Sequence, residues 1–329
     1  MAVLVTGGAG YIGSHMVLEL LDAGERVVVL DDLSTGFRWA VPPEAVFVAG
    51  DVGDQALVGR LVDEHGIDGI LHFAAKIVVP ESVADPLSYY LNNTVKSRAL
   101  IETAIRKGVK RFIFSSTATV YGNTDVSPLG EELVPWPINP YGRTKLMTEW
   151  MLEDAARAHD FSYVVLRYFN VAGADPKGRA GQASPEATHL IKVASQVALG
   201  QRPYLQVFGT DYPTPDGTCI RDYVQVNDLA RAHLAALGYL RRGGESTVMN
   251  CGYGHGSSVL EVVDVVKRVS GVDFEVRQVP RRPGDPASLV AKVDLIRDRL
   301  GWTPIYDDLE TIVDQALRWE RNLPQKRAA

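Results

Sequence analysis

Tyr141 and Lys145 stand four residues apart in Asn139-Pro140-Tyr141-Gly142-Arg143-Thr144-Lys145. That spacing puts a phenol and an ammonium on one helix face. Asn139 is a good N-cap and Pro140 suits the first helical position. A nearby ammonium favours the phenolate and draws the tyrosine pKa toward neutrality. A phenol poised near working pH can take and return a hydroxyl proton. Of thirteen tyrosines, Tyr141 alone has lysine four residues on. One such pair also arises by chance on an ordinary exposed helix, so its position carries the weight. Upstream, an apolar run ends in Ser115-Ser116-Thr117. Thr117 can hydrogen-bond a reacting hydroxyl beside Tyr141, or it is simply a polar strand end.

A second set of residues suits a dinucleotide. The first apolar run leads into Gly7-Gly8-Ala9-Gly10-Tyr11-Ile12-Gly13. Glycines at 7, 10 and 13 allow a tight turn and bring backbone N–H groups close to a pyrophosphate at a helix N-terminus. The motif sits between a strand pattern and a helix pattern, the context it requires. Asp31 closes the second strand, 18 residues after Gly13. A carboxylate there accepts from both adenosine ribose hydroxyls and repels a 2′-phosphate, which favours NAD over NADP. Asp32 beside it leaves the choice between the two open. Asp51, closing the third strand, either meets the adenine amino group or caps the next helix.

These residues need a frame, and the pattern supplies one. Ala2–Thr6, Arg26–Leu30, Ala45–Ala49, Gly69–Phe73, Arg111–Ser115 and Tyr163–Tyr168 read as strands. They are nearly continuously apolar, as strands covered on both faces must be. Helical patterns such as Ile12–Asp22 and Leu87–Lys107 alternate with them, which predicts an α/β doubly wound parallel sheet. Residues 1–170 are expected to form a Rossmann domain. Residues 171–329 are expected to form a smaller C-terminal α/β substrate domain, from which 222–252 rejoins the main sheet. Gly- and Pro-rich loops cover Ala172–Ser184, Thr210–Thr218 and Pro280–Pro286, and the tail from Asn322 is expected to fray.

The 329 residues carry a net charge of -6, which argues against a nucleic-acid partner. The two cysteines, Cys219 and Cys251, build neither a disulfide framework nor a zinc pattern, so no metal is expected and a reduced, cytoplasmic setting is. No signal peptide or membrane span is expected: the apolar start has no basic lead, and no run approaches roughly 18 residues.

Gly-Gly-Ala-Gly-Tyr-Ile-Gly-Ser, Ser-Ser-Thr-Ala-Thr-Val-Tyr-Gly and Pro-Tyr-Gly-Arg-Thr-Lys resemble the extended short-chain dehydrogenases/reductases. Within them, Arg167–Ala174, Phe208–Thr218, Arg221-Asp222-Tyr223 and Arg281–Asp285 resemble the UDP-glucose 4-epimerases. The resemblance runs nearly the whole chain in order. It implies Tyr141 as catalytic base and acid, Thr117 as its partner, and Lys145 binding the nicotinamide ribose. It implies that Gly7, Gly10, Tyr11, Ile12, Gly13, Asp31, Asp32, Leu33, Ser34, Asp51, Val52, Phe73, Ala74, Ala75, Asn93, Lys145 and Phe169 hold NAD. Asn170, His189, Leu190, Gln206, Phe208, Arg221, Arg281 and Asp285, with Thr117 and Tyr141, would hold a UDP-sugar. Guanidinium forks at Arg221 and Arg281 match pyrophosphate oxygens.

Three positions depart from the commoner pattern. His189 stands where some members have Asn. Lys76 falls one residue before a cofactor-contacting Lys of other members and is not assigned. Leu289 replaces a large Tyr found in members restricted to unacetylated sugars, which opens the substrate range to N-acetyl groups. The implied reaction is transient oxidation at C4 of the sugar, turning of the keto sugar, and hydride return to its other face. Epimerases of UDP-N-acetylhexosamine or UDP-xylose/arabinose share these residues. A 4,6-dehydratase needs an Asp-Glu pair where Ala118 and Thr119 stand, and those cannot transfer protons. A non-catalytic NAD sensor has no need of the Tyr-Lys pair. Helices around Leu87–Lys107 and Tyr141–His159 form the homodimer contact in the family, although an amphipathic helix also packs this way on a sheet.

Overall fold

The computed structural model describes residues 1–184, 188–282 and 284–328, with side chains through Leu323 in the last helix. Pro283, inside the Arg281–Asp285 motif, lies outside the described residues.

Six strands follow one another as β1 (Ala2–Thr6), β2 (Arg26–Asp31), β3 (Val46–Ala49), β4 (Ile67–His72), β5 (Arg111–Thr117) and β6 (Ser162–Tyr168). They lie in the order β3-β2-β1-β4-β5-β6, and the strand Thr247–Cys251 extends the sheet beyond β6. Every pairing is parallel. Side chains alternate across a strand, and here both faces are covered. Val3, Val5, Val27, Val29 and Ile113 join one core. Their neighbours Ala2, Leu4, Val28, Leu30, Phe112 and Phe114 join the other. That double burial is why the strands read as unbroken apolar runs.

Parallel strands all end at one edge. The chain leaves β1 toward β2 and β3 on one side, and β4 starts afresh on the other. The ends of β1 and β4 therefore open a crevice where the winding reverses.

The second half is made of small pieces. Asn170–Ala172 pairs with Tyr223–Gln225, and Leu205–Phe208 with Val276–Val279. Ile220–Arg221 lies between Ser257–Ser258 and Ser288–Leu289.

Two expectations need correction. The segment expected as one helix over Leu87–Lys107 is an α-helical turn at Pro86–Tyr89, a π-helix at Tyr90–Val95 and an α-helix at Lys96–Arg106. The wider π turn shifts the register, and Asn93 within it is buried. The tail expected to fray from Asn322 instead continues a helix over Leu309–Ala328. Leu323 is buried with Trp319, Ala174 and Ala183. The sequence pattern missed it because its apolar partners come from a loop 140 residues away.

Leu323→Ala should therefore cost about 2–4 kcal/mol, the range for truncating a buried leucine. Denaturant unfolding measures it, and a change within about 0.5 kcal/mol, the level of an ordinary surface substitution, would restore the frayed tail.

Candidate active site

The glycine turn after β1 is shaped by contacts that no side chain could share. Gly7 has φ +73, and a Cβ there would sit 2.6 Å from the Ala74 nitrogen. A Cβ on Gly13 would sit 2.1 Å from the Gly7 carbonyl oxygen. The turn can thus lie against the segment after β4 and against its own helix. Gly10 begins the helix Tyr11–Asp22 without a side-chain cap, so first-turn N–H groups remain for an anion. The Tyr11 hydroxyl donates to the Gly173 carbonyl at 2.7 Å, tying this helix to the second half of the chain.

Asp31 and Asp32 separate cleanly. Asp31 is buried at the end of β2 and accepts from Ala9 N at 2.9 Å and Leu33 N at 2.8 Å. Burial raises its pKa, against the pull of those two N–H groups. Each oxygen keeps a lone pair for a ribose hydroxyl. Leu33 follows with φ +59, a strained conformation for a branched side chain. Asp32 is turned to Ser34, accepting from its N at 2.9 Å and its hydroxyl at 2.6 Å.

Asp51 does not cap the next helix. Asp54 does, accepting from Leu57 N at 2.9 Å. Asp51 accepts from Gly53 N at 2.7 Å and pairs with Lys96 at 2.6 Å, beside buried Val52. After β4, Phe73 N donates to the Thr6 carbonyl, so Phe73, Ala74 and Ala75 continue along the crevice. Asn93 lies beneath them. Its amide bonds Lys76 N and O, both at 2.9 Å, and reaches the Thr144 hydroxyl at 3.2 Å. Asn93 therefore holds the β4 segment against the helix Pro140–Ala158. Phe169, buried, follows β6. This cradle of close glycines, an anion-accepting helix end and a strand-end carboxylate fits NAD.

Tyr141, Lys145 and Thr117 meet where β5 ends. Asn139 caps the helix of the first two, accepting from Gly142 N at 2.8 Å. Tyr141 lies beside the Thr117 side chain, which tends to lower its pKa, while the Thr117 hydroxyl donates to Thr119 Oγ1 at 3.0 Å. Lys145 is buried and donates to the Ser115 carbonyl at 2.8 Å, its ammonium 4.8 Å from the centre of the Phe114 ring. The expected acidification of Tyr141 is not the dominant effect. Desolvation pushes the phenol up to about 12, with the Thr117 side chain opposing. Desolvation also pushes Lys145 down to about 7, with the Glu149 charge opposing. A buried cation loses its own charge more readily, so spacing alone overstated what it does for its neighbour.

The sugar-side residues are less tightly gathered. Arg221 is paired with Asp285 at 3.2 Å and also donates to the Pro286 carbonyl at 3.0 Å. It lies in register with Leu289 on the neighbouring strand. Arg281 is held by Asp211 at 2.6 Å and lies over the Tyr212 ring. His189 bonds Gln182 at 2.8 Å and precedes the helix Leu190–Ala198. Asn170, His189 and Leu190 line one cavity together with Tyr223 and Gly173. Gln206 and Phe208 lie apart from that cavity on the strand Leu205–Phe208, where Arg282 stacks on Phe208.

Two groups escaped the sequence reading. Asp222, inside Arg221-Asp222-Tyr223, is fully buried and accepts from Tyr253 N, Gly254 N and Ala291 N. It fixes the Arg221 strand to its surroundings. Glu149 and Arg167 form a buried ion pair beneath Lys145. The signal for Glu149 was its place four residues beyond Lys145 on the same helix face.

Residues 3–252 match the profile of the NAD dependent epimerase/dehydratase family. The chain is 57% identical over 323 residues to the UDP-glucose 4-epimerase of Azospirillum brasilense, covering 98% of this chain and 93% of that protein. The solved UDP-glucose-4-epimerase of Stenotrophomonas maltophila, with bound NAD and formylated UDP-arabinopyranose, aligns with TM-score 0.96 at 42% identity, covering 100% of both chains. The UDP-Glc/GlcNAc 4-epimerase of Campylobacter jejuni aligns with TM-score 0.86 at 49% identity, covering 98% of this chain and 99% of that one.

Gly13→Ala should weaken NAD binding at least about tenfold, since the methyl must displace the Gly7 carbonyl by more than an ångström and strained turns cost roughly 1–3 kcal/mol. Nucleotide released from the denatured, purified variant measures this; a content equal to that of the parent would remove Gly13 from the cradle.

Proposed function

We propose that this chain, which belongs to the NAD dependent epimerase/dehydratase family, interconverts UDP-glucose and UDP-galactose by inverting C4 of the sugar. The observation that carries this reading is the meeting of Tyr141, Lys145 and Thr117 at the end of β5, beside the glycine cradle. NAD, when bound, takes hydride from C4 and returns it to the opposite face, so it is not consumed. Everything else falls to the chain.

Gly7, Gly10, Gly13 and the first-turn N–H groups of Tyr11 and Ile12 receive the cofactor's pyrophosphate. Asp31 receives its adenosine ribose, with Asp32 to Ser34 closing the turn. Asp51, Val52, Phe73 to Ala75, Asn93 and Phe169 line or support the same groove. Tyr141 takes the proton from the sugar's 4-hydroxyl and later returns it, and Thr117 orients that hydroxyl. The positive charge of Lys145 favours the phenolate at the moment of transfer, and its ammonium meets the nicotinamide ribose. Arg221 and Arg281 hold the diphosphate, exchanging carboxylate partners for phosphate oxygens, while the sugar turns. Asn170, His189, Leu190, Gln206, Phe208 and Asp285 hold the nucleotide and sugar. On this reading residues 1–170 with 222–252 serve the cofactor, and 171–329 otherwise serves the UDP-sugar.

A wider substrate range is favoured by one observation. Leu289 lies in register beside Arg221, and a leucine there leaves more room than an aromatic ring. The reading therefore extends to UDP-N-acetylhexosamine.

The chain is assigned here as a homodimer. Leu87, Leu91 and Val95 recur along one segment and are 78%, 56% and 52% exposed, with Trp150 at 54% on the companion helix. Exposed apolar groups in such a row suit a partner surface. No helix of the described residues is long and apolar enough to cross a membrane. Free, buried Cys219 and Cys251 support a reduced cytoplasm.

Purified protein, given no added cofactor, should convert UDP-galactose to UDP-glucose, with chromatography of products alongside UDP-N-acetylgalactosamine and UDP-arabinose ranking the sugars. Tyr141→Phe should lower kcat by about 10²–10⁴, the usual contribution of a positioned proton donor, and leave bound NAD unchanged. Full activity in that variant would exclude Tyr141 as the base.

A further inference from the structure

The end of β5 holds three residues of the facing helix with three consecutive positions. Ser115 accepts from Lys145 through its carbonyl at 2.8 Å. The Ser116 hydroxyl donates to the Glu149 carboxylate. The Thr117 side chain lies beside Tyr141. Tyr141, Lys145 and Glu149 are spaced at i, i+4 and i+8, so they form one stripe. Helical side chains lean toward the N-terminus, and the Glu149 carboxylate therefore leans toward Lys145.

Glu149 is itself clamped. Arg167 on β6 donates to it through Nη2 at 2.6 Å and through Nε at 3.2 Å and 3.3 Å. The two side chains are 4% and 6% exposed. Taking both charges out of water is expensive, and apolar residues of the same size would often hold as well. The pair is also imperfect as a structural clasp: Arg167 Nη1 is buried without a hydrogen-bond partner. The carboxylate is fully engaged, and it is the member of the pair on the Lys145 helix.

We propose that Glu149 is a positioning residue for the reaction, a fixed buried anion that keeps Lys145 charged and seated on Ser115; this rests on the roles given above to Tyr141 and Lys145. The other groups around Lys145 do not replace it. His72 on β4 is pushed down to about 3, first by burial and then by Lys145, so it stays neutral. Tyr141 and Tyr168 are both raised by burial and stay neutral, as does Tyr89 near Tyr141. Arg167 is cationic and lies beyond Glu149. Among these groups Glu149 is the anion, and its charge opposes the burial that draws Lys145 down to about 7.

The test is the pH profile of kcat for the NAD-loaded protein and its Glu149→Gln and Glu149→Asp variants. Activity that needs a charged lysine falls as pH rises through its pKa. Glu149→Gln should move that alkaline limb down by about one pH unit, a roughly tenfold loss on the alkaline side. Glu149→Asp keeps the charge one methylene further away and should fall between.

A second readout does not use activity. The melting temperature is compared with that of the Lys145→Met variant across pH. A lysine depressed to about 7 in the folded protein, against about 10.4 unfolded, binds fewer protons folded than unfolded in that window. Stability contributed through it therefore rises with pH from about 7 upward. In the Glu149→Gln background the rise should begin at lower pH. A uniform loss of melting temperature with neither limb nor onset displaced would overturn the proposal and leave Glu149 a structural ion pair. Failure of the parent protein to interconvert the sugars would instead overturn the functional reading, while the melting comparison would still decide on Glu149. If Glu149→Gln does not fold, Ser116→Ala removes one clamp without burying a new charge, and the same displacement, smaller, is required.

Discussion

An ammonium group removed from water has to be held charged by its surroundings, and much of this site is arranged to do that for Lys145. The carbonyl of Ser115 accepts a hydrogen bond from it. The face of Phe114 lies under it, and an aromatic face attracts a cation. Glu149 supplies negative charge from one turn away. Each of these sits on the main sheet or on the helix packed against it. Burial is what makes the lysine responsive. In water its charge would be assured and screened; here it is set by three neighbours. Burial by itself drives the phenol of Tyr141 up, to about 12, and on the proposed reading the Lys145 charge is what opposes it.

Much of this frame was legible in the chain. Strands buried on both faces must be apolar throughout, so Ala2–Thr6 and Arg26–Asp31 announced themselves within a residue. Parallel strands end on one edge, so the glycine turn, Asp31, Phe73, Thr117 and Phe169 had to converge once the strands were assigned. The i,i+4 rule brought Tyr141 and Lys145 together without any tertiary information. What stayed hidden depends on contacts far apart in sequence. The π turn at Tyr90–Val95 has no local signature. Asn93 is turned inward to serve Lys76 and Thr144. Asp51 and Asp54 are indistinguishable as caps until Lys96 is seen beside one of them. Leu323 looked like tail because most of its partners, Ala174 and Ala183 with Phe37 and Trp39 beside them, lie far off in sequence. The sign of the Tyr141 shift could not be read either, since spacing reports a neighbour's charge and says nothing of solvent.

The two halves of the chain are joined by polar contacts at the crevice as well as by apolar packing. Tyr11, at the mouth of the phosphate cradle, holds the Gly173 carbonyl. Asn170, two residues past β6, donates its N–H to the Asp222 carbonyl, and the Asp222 carboxylate gathers three N–H groups from two other segments. On the far side, Arg167 lies over Tyr121, whose hydroxyl donates to Asn250 at 2.7 Å. Asn250 in turn donates to the Leu129 carbonyl, and Leu129 is bridged to the segment carrying Leu289 through Val290 O. The ion pair beneath Lys145 is therefore one end of a chain of contacts reaching the segment that flanks Arg221.

That arrangement separates chemistry from recognition in physical terms. Thr117 and the glycine turn sit at the ends of long strands with both faces covered, and Tyr141 and Lys145 sit on the helix Pro140–Ala158 packed against the sheet. Arg221 and Leu289 rest on strands of two residues, and Arg281 is held by Asp211 in a pair that is 42% and 75% exposed. An exposed, solvent-screened pair of this kind holds its partners only weakly. Asp211 thus holds Arg281 loosely, whereas Arg221 is buried in its pair with Asp285. On the proposed reading, the proton transfer is kept at the edge of the rigid sheet and the sugar is met by the short strands of the second half.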